Sequence, residues 1–159
     1  MYSIGDRIVY PMHGAGIIES IEDRMILGKT QSYYVLRISL REMTVMIPVD
    51  NAGDIGIRKV VSENKANEVL GLLECKNCIS NINWNQRYRE NLLKIRTGDI
   101  FEVADVFKSL KVRDIEKGLS TGERKMLNTA KQILLSELFL AKNISLQEVE
   151  DTVNKCLGF

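Results

Sequence analysis

The hydrophobic period of this chain changes once, near residue 60, and no other feature narrows the fold as much. Before that point short apolar runs alternate with period two and are cut by glycine. After it, apolar residues recur three and four positions apart behind residues that cap helices. Strands gathered at one end and helices at the other predict an α+β protein.

The strand-like half starts with Arg7-Ile8-Val9-Tyr10, bounded by Gly5 and Pro11. Met12-His13-Gly14-Ala15-Gly16 reads as a turn, Ile17-Ile18-Glu19-Ser20-Ile21 as a strand, and Gly28 with Lys29 as the next turn. The clearest hairpin joins Tyr33-Tyr34-Val35-Leu36-Arg37-Ile38 to Met43-Thr44-Val45-Met46-Ile47-Pro48 through Ser39-Leu40-Arg41-Glu42. Five short strands in under 60 residues predict a small, twisted, partly closed barrel of the SH3 or Tudor type. The expected division is a Tudor-like domain over residues 1–60 and an all-helical domain over residues 61–159. Side chains alternate across a strand, so if Tyr34, Leu36, Ile38 and Ile47 point inward, Val35 and Met46 point out. Pro48 cannot donate to a ladder and favours an edge. An edge strand with outward apolar residues suits docking by another protein, although single surface apolar residues are also ordinary.

Helices are announced by their caps. Residues 62–74 carry a short apolar face of Val69, Leu70, Leu72 and Leu73 behind Ser62. Asn83 with Gln86 opens a helix at Trp84, which Gly98 ends; Asp99 with Glu102, Ser120 with Glu123, and Ser145 with Glu148 open three more. The stretch Ile133-Leu134-Leu135-Ser136-Glu137-Leu138-Phe139-Leu140 is apolar nearly all round, which predicts the buried centre of a bundle. On the Trp helix, Trp84, Tyr88, Leu92 and Ile95 share one arc, flanked by Arg87 and Lys94 on one side and by Arg89 and Arg96 on the other. Two readings of Trp84 stay open on pattern alone: a core anchor with a solvated cationic rim, or an exposed platform for a nucleic-acid base among phosphate-binding cations.

Charge is informative in its placement. The net charge is only +1, but residues 80–125 hold ten Lys/Arg against seven Asp/Glu, so the positive excess gathers around and after Trp84. Catalytic signatures are lacking: no nucleophile elbow, phosphate-binding glycine loop or zinc-protease helix is present, and the sole histidine, His13, sits in a turn. Cys75 and Cys78 have Cys-x-x-Cys spacing, but a tetrahedral zinc would need two more ligands, and only Cys156 and His13 remain. The expectation is a protein that is not an enzyme and has no cofactor, metal or small-molecule substrate. No long apolar run or N-terminal signal pattern is visible, and three cysteines suit a reducing compartment, so a cytoplasmic location without membrane contact is expected.

Taken together, Gly5-Asp6, Val9-Tyr10-Pro11, His13-Gly14, Tyr34-Val35-Leu36, Met46-Ile47-Pro48, Trp84-Asn85-Gln86-Arg87-Tyr88-Arg89, Thr97-Gly98-Asp99 and the run from Leu119 through Leu127 resemble the CarD/CdnL family of bacterial transcription regulators. The resemblance spans nearly the whole chain in order. It implies an N-terminal Tudor-like domain, shared with transcription-repair coupling factor, that docks on the β subunit of RNA polymerase. It also implies a helical domain that touches promoter DNA at the upstream edge of the transcription bubble and favours the open complex. The family's wedge Trp falls on Trp84 and its DNA-contacting cations on Arg87, Arg89 and Arg124. Its polymerase contacts fall on Arg24, Met46 and Pro48, with Val35 beside them; some branches carry Arg where Met46 stands, which implies an apolar contact here. The alternative is a protein-interaction module that bridges polymerase to another protein and touches no DNA.

Overall fold

A computed structural model describes residues 1–74 and 83–158. Five strands, β1 (Arg7–Tyr10), β2 (Gly14–Ile26), β3 (Lys29–Ile38), β4 (Met43–Pro48) and β5 (Arg58–Lys59), pair antiparallel in the order β4-β3-β2-β1-β5. A 3-10 turn at Val49–Asn51 and the one-turn helix α1 (Ala52–Ile55) carry the chain from β4 to β5. Helices α2 (Glu63–Glu74), α3 (Trp84–Arg96), α4 (Ile100–Glu116), α5 (Thr121–Lys142) and α6 (Leu146–Leu157) follow. The α+β class expected from the period change is the one observed.

Period two sorts the sheet as expected. Ile8, Ile18, Tyr34, Leu36, Ile38 and Ile47 are buried together with Ala52 and Ile57, each of the isoleucines and Leu36 stabilising the fold by roughly 1.5–3 kcal/mol. Val35 pairs with Met46 across β3 and β4 on the outer face, and Pro48 lies on β4, an edge strand.

Glycine misleads at one point. The tight turn is confined to residues 11–13, and Gly14-Ala15-Gly16 already belongs to β2. Gly16 is in the strand because a Cβ there would lie 2.2 Å from the Arg37 carbonyl oxygen, so the residue serves a close backbone approach and not a bend. His13 sits in this turn, its N–H donating to the Tyr10 carbonyl at 2.9 Å and its ring edge-on to Tyr10.

The sheet is buried on both sides at β1 and β2. While Ile8 faces the barrel core, Val9 and Ala15 face the other way and pack with Leu140 of α5. The all-round apolar half of α5 is therefore shared: Ile133, Leu134 and Leu138 fill the helical core, and Leu140 meets the sheet. This refines the expectation of a helix central to the bundle alone. Polar groups pin the same contact. The Ser136 hydroxyl accepts from the Ala15 N–H at 2.9 Å and donates to the Ile133 carbonyl at 2.8 Å, and Arg7 donates to the Leu140 carbonyl at 2.7 Å.

Candidate nucleic-acid interface

Helix α3 starts where Asn83 caps it, its side chain accepting from the Gln86 N–H at 2.9 Å. The Gln86 side chain does not return to the cap but donates to Glu90 at 3.2 Å. Below the cap Asn91 and Ile95 are buried, so the inner arc of the helix is held by the bundle while its first turn overhangs it. Trp84 stands on that first turn and is 43% exposed.

The indole is exposed but fixed. Its ring stacks on Tyr88 with centroids 5.1 Å apart and planes at 21°. Its Nε1–H donates to the Ser120 hydroxyl at 3.0 Å. That hydroxyl also caps α5 by accepting from the Glu123 N–H at 3.2 Å, so one side chain organises both helix starts. Gly122 lies against the aromatic pair, where a Cβ would make ordinary van der Waals contact with Tyr88 at 3.5 Å and Trp84 at 3.8 Å. An aromatic face held this way needs little ordering before a base or sugar stacks on it.

The cations around Trp84 divide into two kinds. Arg87 turns inward; its side chain is 11% exposed, and Nε and Nη2 donate to the two Glu123 oxygens at 2.8 and 3.0 Å, with Glu123 2% exposed. The hydrogen bond it donates to Glu123 holds the pKa of the Arg87 guanidinium above its ordinary value, against the opposing effect of burial. Arg87 thus braces α3 on α5 and is placed poorly for a phosphate, which departs from the expectation that it lies on the DNA face. Arg89 is exposed and has no hydrogen-bond or ion-pair partner among the described residues. Arg124 is 55% exposed, with Asp114 at 3.2 Å, an exposed pair worth at most about 1 kcal/mol and easily exchanged for a phosphate. Lys94 pairs with Asp105 at 2.6 Å, whose hydrogen bond raises its pKa.

The four residues expected to meet a protein partner share one face of the sheet. Val35 faces Met46, Pro48 faces Tyr33, Tyr33 faces Glu22, and Arg24 faces Gln31. Arg24, Val35, Met46 and Pro48 therefore lie on one outer surface of β2, β3 and β4. Met46 is 38% exposed, and Arg24 is held beside Glu22 at 2.9 Å.

A third set of residues was not singled out from the sequence. Glu137, 1% exposed in the middle of α5, accepts from Arg58 Nη1 and Nη2, both at 2.6 Å, and from the Val61 N–H at 3.0 Å. Arg58 also donates to the Gly98 carbonyl, at 2.6 and 3.0 Å, at the corner between α3 and α4. One guanidinium thus ties the sheet to α5 and to the end of the Trp helix. A glutamate inside an otherwise apolar run was the signal available.

No metal chemistry accompanies these sites among the described residues, where no three His, Cys, Asp or Glu side chains could hold an ion. Cys75 and Cys78 lie outside the described residues. Cys156 is half-buried 3.6 Å from Glu74, and burial pushes its thiol pKa up. No helix among the described residues is long and apolar enough to cross a membrane.

Two family models divide the chain much as the sheet and helices do. The model of the CarD C-terminal domain matches residues 68–154, and that of the CarD-like/TRCF RID domain matches residues 2–61. The chain belongs to the CarD family. Among its CarD relatives, YdeB of Bacillus subtilis (strain 168) is 41% identical over 150 residues, covering 94% of this chain and 98% of that one. Two solved structures from Myxococcus xanthus match the N-terminal part. The 72-residue N-terminal domain of CarD is 29% identical, covers 37% of this chain and 79% of that chain, and has a TM-score of 0.33. CdnLNt is 40% identical over 39% of this chain and 87% of that chain, with a TM-score of 0.34. The CarD family is one of transcription factors and not of enzymes, which supports a role in regulating transcription. Its RID module implies interaction with RNA polymerase in general.

Proposed function

We propose that this CarD-family chain docks on the β subunit of RNA polymerase through the outer face of β2, β3 and β4, and presents Trp84 to promoter DNA at the upstream edge of the bubble, stabilising the open complex. The observation that carries the reading is an indole 43% exposed yet fixed by Tyr88 and Ser120. A core anchor would be covered, and a loose surface Trp would not be held on both sides. Arg89 and Arg124 take phosphates beside it, while Arg87 acts as a brace through Glu123.

The physical logic is delivery. Unstacking a base step costs a few kcal/mol and is cheapest where the duplex is already distorted. Two exposed arginines bind DNA weakly at physiological salt, so the wedge needs a tether that raises its local concentration. A surface built from Val35, Met46 and Pro48 with Arg24 at its rim supplies the tether.

Two measurements test the halves separately. Met46→Asp places a charge in the middle of the docking face without touching the buried side of β4. It is expected to weaken capture of a polymerase β-subunit fragment at least tenfold while retention on fork DNA stays as it was; undiminished capture would move the docking face elsewhere. Replacing Arg89 and Arg124 singly with Gln is expected to reduce the salt dependence of fork-DNA binding by about one counterion each. An unchanged slope in both variants would favour a module that contacts protein alone.

A further inference from the structure

The tip of the β2–β3 hairpin is used by neither surface described so far. Its turn is Leu27-Gly28, both residues in the left-handed region at φ 53° and 78°. This is the two-residue hairpin turn in which the first position favours Asn, Asp or Gly. A leucine held there sets its Cβ against its own backbone. Nothing inside the fold compensates: Leu27 is 98% exposed, and Met25 and Ile26 beside it are 76% and 51% exposed. The other non-glycine residues at positive φ have local reasons. Asn143 tolerates the conformation and closes α5 by donating to Phe139, Met12 packs on the helical core, and Glu42 is a solvated polar residue in a turn.

We propose that Ile26 and Leu27 form an apolar anchor that enters a hydrophobic recess on the same polymerase surface that takes the outer face of β3 and β4. The inference rests on the docking reading above. Continuity supports a shared partner. Pairings of Pro48 with Tyr33, Tyr33 with Glu22, Arg24 with Gln31 and Ile26 with Lys29 place Ile26 on the same face as Arg24 and Pro48. The tip begins about 13 Å along the ribbon from Tyr33. Charge favours a protein over nucleic acid. Arg24 is held by Glu22, and residues 22–29 carry two cations, Arg24 and Lys29, against two carboxylates, Glu22 and Asp23, so the ribbon offers no excess of cations to a phosphate backbone.

The test compares the full chain with Leu27→Asn and Ile26→Ser on purified RNA polymerase core enzyme, with fork DNA and sedimentation as parallel readouts. Asparagine suits the turn, so Leu27→Asn is expected to raise Tm by about 2 °C and at the same time to weaken polymerase binding about tenfold. Ile26→Ser is expected to weaken binding without the rise in Tm. Retention on fork DNA and the sedimentation coefficient are expected to stay as in the parent chain. Failure of the parent chain itself to bind polymerase would remove the docking reading. Parent binding with undiminished binding by both variants would overturn the anchor and leave docking in place. A fall in Tm for Leu27→Asn, a loss of DNA retention, or a loss of self-association would each overturn it as well, the last two by giving the tip another occupant.

Discussion

Replacing Trp84 with Ala is expected to shorten the lifetime of the open promoter complex by about 10- to 100-fold while leaving the chain folded. The functional estimate follows from stacking of an aromatic side chain on a base, worth about 1–3 kcal/mol. The structural loss is smaller than for a buried tryptophan. The variant gives up the stack on Tyr88, worth about 0.5–1.5 kcal/mol, and the hydrogen bond to Ser120, of similar size, while Ile95 and Asn91 still seat α3. A destabilisation of roughly 1–3 kcal/mol is therefore expected, against about 3–5 kcal/mol for emptying a core site. Trp84→Phe separates the contributions, since it keeps a ring over Tyr88 but has no N–H for Ser120. It is expected to hold the fold nearly as well as the parent chain and to recover only part of the lifetime. The measurements are promoter-complex decay after a competitor is added, and thermal unfolding of the free chain. Lifetimes indistinguishable from the parent would end the wedge reading, and so would a Trp84→Ala chain that fails to fold.

Much of this molecule could be read from residue order. The alternation in residues 33–38 and 43–48 placed Tyr34, Leu36, Ile38 and Ile47 inside and Val35 and Met46 outside, because a half-buried antiparallel pair leaves a period-two trace. All five caps, at Ser62, Asn83, Asp99, Ser120 and Ser145, accept from the first turns of their helices. What escaped was long-range. Residues 22–26 of β2 carry no alternation and are held by pairing with β3 rather than by burial, so their pattern resembles a loop. Gly16 looked like a turn because its real constraint is the Arg37 carbonyl, far away in sequence. Glu123 was read as half of a capping box; its N–H does meet Ser120, but its carboxylate is taken by Arg87. A local signature explains a residue sufficiently to hide its tertiary partner, and the inward turn of Arg87 was hidden for the same reason. Trp84 shows the limit most plainly, since its helical period is equally compatible with core and surface until the end of the supporting bundle is known.

The second large effect concerns the joint between sheet and helices. Glu137 is 1% exposed and accepts three hydrogen bonds, two from Arg58 and one from Val61, so Arg58→Ala strands an acidic side chain in the protein interior. Breaking a buried pair from one side typically costs about 3–5 kcal/mol. Glu137→Ala leaves the opposite orphan, Arg58, whose side chain is 29% exposed and still bonded to Gly98, so water can compensate it in part. Arg58→Ala is therefore expected to be the more damaging, lowering Tm by about 6–15 °C, with Glu137→Ala nearer the lower end. The double variant is expected to cost less than the sum, as partners in one network are not additive. Equal single effects that add simply would show that the pair does not act as a unit. Function gives a second readout, because Arg58 also grips the corner at Gly98 that ends the Trp helix. Glu137→Gln, which keeps the shape and loses the charge, is expected to leave polymerase capture and fork-DNA retention each near normal while shortening open-complex lifetime. Two contacts on one molecule reinforce each other only when the span between them is held, and this buried carboxylate holds it together with Ser136 and Arg7.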